Sequence, residues 1–215
     1  MNNENKKQVI DTALRTKRQL ALKLLKILFC LHAFSLGISL IKYLPVPSDL
    51  TAWASRILSV GMVFCLFSLG GIHSGYRFAG AARVVVLAQN IVFALLPVPG
   101  LVSWNQSAES LRIIRLIYGA VMVLSWVATW FEYRSHGALA SVVSKKLAML
   151  WIALFAGSLL VSVLSSVVSW GVAYLTRDVV FLNTVNSVIG ILSRGLDVLC
   201  LCLLYKLMDS IRKSV

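Results

Sequence analysis

The sequence predicts an all-α polytopic membrane protein of about six transmembrane helices arranged as helical hairpins, led by an N-terminal basic amphipathic helix. Three observations carry that expectation. The 215 residues are 59% hydrophobic and 13% charged, with a mean hydropathy of +0.84, which is more apolar surface than one soluble core of this size can hide. Six stretches reach the roughly 20 apolar residues that a helix needs to cross a bilayer: 22–44, 54–72, 84–104, 111–131, 147–170 and 179–205. The charge is unbalanced, with 21 Lys and Arg against 8 Asp and Glu and a net charge of +13, and most of it falls where the chain reaches water.

Along the chain, residues 1–21 form a cytosolic basic amphipathic segment, 22–205 the helical transmembrane domain, and 206–215 a cytosolic basic tail. The opening MNNENKKQVIDTALRTKRQ is polar for too long to begin a cleaved secretory signal, so the first apolar stretch is expected to remain in the mature protein. From Val9 to Ile27, at 100° per residue, Val9, Ile10, Ala13, Leu14, Leu20, Ala21, Leu24 and Leu25 share one arc. Arg15, Arg18, Lys23 and Lys26 lie opposite, and Lys17 is the exception. Such a helix suits the headgroups of an anionic membrane surface, with Arg15, Lys17, Arg18, Lys23 and Lys26 as the surface-binding residues. The bland alternative, a positive-inside signal that only orients the first span, is equally open.

All four prolines fall in two copies of one tetrapeptide, Leu44-Pro45-Val46-Pro47 and Leu96-Pro97-Val98-Pro99. Proline lacks a backbone donor and pushes the preceding residue out of the helical region, so each copy is expected to stop an odd span and turn into the next. Trp53 and Trp104 follow the two copies closely, as interfacial anchors do. Basic residues gather on the other side: the N-terminal cluster, Arg77 and Arg83, Arg134 with Lys145 and Lys146, then Lys206, Arg212 and Lys213. The positive-inside rule therefore puts both termini in the cytosol and the NQS sequon at Asn105 on the far side. Lys42, Arg56, Arg112 and Arg115 lie near that far side and blur the contrast.

An internal echo points to repeated hairpins. Tyr76-Arg77-Phe78-Ala79-Gly80-Ala81 and Tyr133-Arg134-Ser135-His136-Gly137-Ala138 share YRxxGA, each read as the end of an even span, and Ile57 to Gly61 and Ile191 to Gly195 share ILSxG. Either these are traces of one ancestral hairpin or coincidences in an apolar alphabet.

No enzyme is expected. There is no Walker loop, GxSxG or HExxH, and no cofactor or metal is implied. Cys30, Cys65, Cys200 and Cys202 all lie in apolar runs without ligand spacing and read as small buried hydrophobes. Glu132 and His136, an i,i+4 pair, are read as a helix end in water rather than a metal or proton site. Nucleic acid is excluded as a partner because no basic stripe is interleaved with aromatics outside the apolar stretches.

The costly feature is Arg194-Gly195-Leu196-Asp197, inside the sixth stretch. Charges there must face protein or water, so Arg194 and Asp197, with His32, Gln89 and Asn90, form a possible intramembrane polar site. A register-fixing ion pair is the structural alternative, as is a stretch broken into an interfacial segment and a shorter span. Ser158, Ser162 and Ser166 form a small-residue stripe for close helix packing, within the chain or between copies.

Taken together, the amphipathic N-terminus, the basic stretch from Tyr76-Arg77 to Arg83, the Pro-containing turn at Leu96 to Gly100, and the C-terminal VIGILSRGLDVLCLCLLYKL resemble the peroxin-eleven family. Its glycosomal relatives in trypanosomes are likewise basic and apolar. The resemblance implies a non-enzymatic protein of the peroxisomal or glycosomal membrane, with both termini cytosolic, that elongates or proliferates the organelle and self-associates as a homo-oligomer or with other membrane proteins. The competing expectation is a small-solute transporter, channel or transport subunit built on the Arg194 and Asp197 site, for which a plasma-membrane location is the alternative. A scaffold whose partners do the work is a third class.

Overall fold

The computed structural model describes residues 3–41, 47–95, 108–168 and 179–213, and no strand occurs among them. Six helices follow in order: α1 (Asn3–Ile41), α2 (Ser48–Leu69), α3 (Gly75–Leu95), α4 (Ala108–Ser141), α5 (Lys145–Val167) and α6 (Val179–Lys213). Five of them, all but α3, contain described stretches long and apolar enough to cross a membrane. The chain is a helical, multi-pass membrane protein. The third predicted stretch continues beyond α3 into residues 96–104, which lie outside the described residues. So do Leu44 to Val46 of the first LPVP, all of the second, Trp104 and Asn105. Pro47, with φ −53° and ψ 127°, leads directly into α2.

Helix lengths separate two kinds of element. At about 1.5 Å per residue, the 22 and 23 residues of α2 and α5 span roughly 33–35 Å, close to a hydrocarbon core of about 30 Å. The 39 residues of α1 and the 35 of α6 reach well past one, at roughly 50–60 Å. Thus α1 carries the basic N-terminal segment and the first span as one helix. The sixth stretch is also one helix, so it is not divided into an interfacial piece and a shorter span.

The described helices form two compact units, Met1–Leu36 with His136–Val215, and Gly37–Ser135. In the second, α2 packs on α3. Its core takes Met62, Val63, Cys65, Leu66 and Leu69 from the end of α2, and Tyr76, Ala79 and Ala82 from the start of α3. The opposite part of α2 exposes Leu50, Trp53 and Ile57. In the first unit α5 packs on α6, burying Leu147, Trp151 and Leu154 against a region that includes Cys200, Leu203, Leu204 and Leu207, with Ala21, Leu25 and Leu28 of α1 also buried. Leu160 and Ile191, farther along α5 and α6, are exposed. In each unit the tight packing lies toward the helix ends that carry the basic residues, and the remaining apolar surface suits lipid.

Two turns join these packed ends. Between α2 and α3 the Gly70 N–H donates to Leu66 and Phe67 carbonyls at 2.9 and 3.1 Å, and the Ile72 and His73 N–H groups donate to Leu69. A Cβ on Gly70 would overlap Arg77 Cγ and come within 2.8 Å of the Phe67 carbonyl, so only glycine fits this close return. Between α4 and α5, Ser144 sits with φ −154° and ψ 117° and its side chain accepts the Leu147 N–H at 3.3 Å, an N-cap in the usual manner.

One expectation is corrected by these turns. Tyr76 opens α3 after a turn, rather than closing α2, whereas Tyr133 lies inside α4. The two YRxxGA copies nevertheless share a burial pattern: Tyr76, Tyr133, Gly80 and Gly137 are buried, while Arg77 and Arg134 are exposed. Gly80 faces the Phe67 ring at 3.3 Å from its would-be Cβ, and Gly137 faces Ala148 O at 3.5 Å. In each copy the Tyr and Gly lie four residues apart, on one helix face, and the Gly meets a neighbouring helix.

Candidate functional site

Two clusters of polar groups lie within the helices. The first is in the unit Gly37–Ser135 and was not foreseen as a site. Arg83 donates to Glu132 Oε2 through Nε at 3.0 Å and through Nη2 at 2.5 Å. The Glu132 side chain is 1% exposed and that of Arg83 29%. Glu132 therefore does not face water at a helix end, and Arg83 is no loop residue but stands in the third turn of α3. His136 is likewise fully buried. The physical reason is desolvation: a carboxylate enclosed within an apolar helix persists as an ion only beside a cation.

Around this pair, Tyr76 is fully buried. Burial first, then the Glu132 carboxylate and Cys65, hold its phenol pKa well above the ordinary tyrosine range, so it stays neutral. His73 Nδ1 receives the Gly75 N–H at 3.2 Å and lies 3.1 Å from Ser135 Oγ. With Nδ1 an acceptor, the Ser135 proton has two acceptors in reach, that nitrogen and the Phe131 carbonyl at 2.7 Å. A Cβ on Gly75 would overlap Ser135 Oγ, so α3 starts hard against α4. The arrangement ties α3 to α4 by charge, hydrogen bond and close packing. Among the described residues no group of three His, Cys, Asp or Glu is placed to hold a metal.

The second cluster is the expected one, in the other unit. Arg194 Nη1 lies 3.5 Å from Asp197 Oδ2 at i,i+3, and His32 of α1 is near enough to interact electrostatically with Asp197. The Arg194 and Asp197 side chains are 33% and 48% exposed, so the pair is loose and open rather than sealed. Gln89 and Asn90 lie on α3, in the unit Gly37–Ser135, half-buried and exposed respectively. Of the five residues anticipated here, Arg194 and Asp197 are in contact and His32 is within electrostatic range of Asp197.

The residues expected to bind a membrane surface are all outward. Arg15, Lys17, Arg18, Lys23 and Lys26 are exposed, while Ala21, Leu25 and Leu28 are buried on the other side of α1. Leu20, placed in the apolar arc, is 49% exposed. Trp53 is exposed, with the Arg56 guanidinium 4.8 Å from its ring centroid, which offsets the charge of an arginine near the apolar end of α2. Gly157, beside the serine stripe, faces Leu196 of α6, so part of that face packs within the chain. The four cysteines are free, Cys65 and Cys200 buried and Cys30 and Cys202 exposed; the last two correct the expectation that all are buried.

Compared with protein-family models, curated proteins and solved structures, the chain matches none.

Proposed function

We propose that the chain is a non-enzymatic multi-pass protein that organises and elongates the membrane of an organelle, of the peroxisomal or glycosomal kind that its sequence resembles, with its basic helix ends toward the cytosol. The observation that carries this reading is α1. Five cations stand exposed on a helix whose opposite face is apolar and which runs without interruption into the first span. A cationic surface anchored in this way attracts anionic headgroups at about 1 kcal/mol per basic residue. Because the helix cannot leave the bilayer, that attraction acts on the local lipid rather than on recruitment. Replacing Arg15 and Arg18 with glutamate is expected to change the number and shape of the host organelle with the protein still inserted, as counted by fluorescence microscopy of tagged cells. Unaltered organelles would count against the reading.

A second reading, a solute pathway, is favoured by one observation: Arg194 and Asp197 pair within the sixth apolar stretch, with His32 in electrostatic range of Asp197. Under it, Asp197→Asn abolishes flux in proteoliposomes at unchanged insertion. Under the first reading, the variant and the parent carry solute equally little.

A further inference from the structure

A groove of about 360 Å³ opens where α5 begins and α6 ends. Its cations are Lys146 and Lys206, both exposed; its hydroxyls are Ser144 and Ser210; its wall is Leu147 and Leu150. None of these belongs to α1 or to either polar cluster. The helices are packed neighbours and the start of one lines the groove with the end of the other, so two lysines remote in sequence share one mouth.

The acid in the groove is already committed. Asp209 lines it, but its carboxylate is engaged by Lys213 at 2.6 Å and by Arg212 at 3.2 Å. Lys146 and Lys206 therefore leave a net positive groove. Ser144 uses an oxygen lone pair to cap α5, which leaves its hydroxyl proton to donate. Position supplies the remaining specificity. Lys146 immediately precedes the apolar run of α5, and Lys206 follows that of α6 after the exposed Tyr205, the depth at which tyrosine and lysine sit among headgroups. Leu150 is 41% exposed beside the lysines, an apolar wall for the start of an acyl chain.

We propose that this groove binds the phosphate headgroup of an anionic phospholipid, with Lys146 and Lys206 pairing the phosphate and Ser144 donating to it. The site is independent of membrane shaping by α1, because it uses none of the α1 cations.

The test uses the full chain purified in neutral detergent and titrated with fluorescent phosphatidic acid. Lys146→Gln with Lys206→Gln is expected to weaken binding roughly 10- to 30-fold, from two lost contacts to a headgroup. The Lys→Arg pair is expected to retain binding, and an Arg77→Gln, Arg134→Gln control, exposed, outside the groove and with the same loss of charge, to change it less than about twofold. Unlabelled phosphatidic acid displaces the probe, while phosphatidylcholine and inorganic phosphate do not. Equal weakening by the Arg77 and Arg134 control, or unchanged binding in the Lys146 and Lys206 double variant, overturns the site. Displacement by inorganic phosphate overturns the lipid assignment in favour of a soluble anion.

Discussion

Replacing Arg83 with alanine is expected to destabilise the protein by about 2–4 kcal/mol. Glu132 is 1% exposed, and truncating the arginine strips its carboxylate of two charge-assisted hydrogen bonds. Breaking a sealed pair from one side costs about 3–5 kcal/mol, and the figure is lowered here because water reaches the partly exposed guanidinium. Removing both charges is a different experiment. Arg83→Met with Glu132→Leu leaves no buried ion and is expected to recover most of the loss, to within about 1–2 kcal/mol of the parent. Reversible unfolding in mixed micelles with rising dodecyl sulfate measures both. A double variant as unstable as Arg83→Ala would show that packing of these side chains, rather than their charge, holds α3 to α4.

Trp151→Ala is expected to cost about 2–4 kcal/mol by the same measurement. Trp151 is fully buried, and its ring lies 4.5 Å from that of His136, centroid to centroid, tilted by 37°. Gly137 packs beside it, its would-be Cβ in ordinary van der Waals range of Trp151 Cβ at 3.7 Å. In a soluble core such a truncation costs about 3–5 kcal/mol. In a membrane the surrounding tails are as apolar as the core, so the loss is mainly of packing and falls lower. Trp151→Phe keeps a ring against His136 and is expected to cost less than half as much. Equal costs for phenylalanine and alanine would contradict a packing role for the ring.

Most of the architecture was legible because a membrane helix announces itself by length and composition alone. The apolar stretches beginning near residues 22, 54, 111, 147 and 179 each fall in a helix that qualifies as a span. Helix ends were less legible. Hydropathy stops at the first charged residues, but hydrogen bonding does not, so α4 continues to Ser141 and α6 to Lys213. The expected meeting of Arg194 and Asp197 followed from i,i+3 spacing, and that of His32 from comparable depth. The Arg83 and Glu132 pair has no such rule, because its partners are 49 residues apart on separate helices. One signal was available: Glu132 is a lone acid at the edge of an apolar stretch, and an enclosed carboxylate needs a cation. Sequence could not select Arg83 over Arg77 or Arg134, since only the rotation of α3 against its neighbours distinguishes the inward arginine. The lysine groove was invisible for the same reason, as Lys146 and Lys206 meet through the packing of α5 on α6.

The membrane-organising role is tested most directly by reconstitution. Purified full-length protein in phosphatidylserine-containing vesicles is expected to convert spheres into elongated profiles by cryo-electron microscopy. The Arg15→Glu, Arg18→Glu variant, incorporated at the same density, is expected to leave them round. Elongation that is equal in parent and variant, or absent from both, would contradict the role assigned to α1.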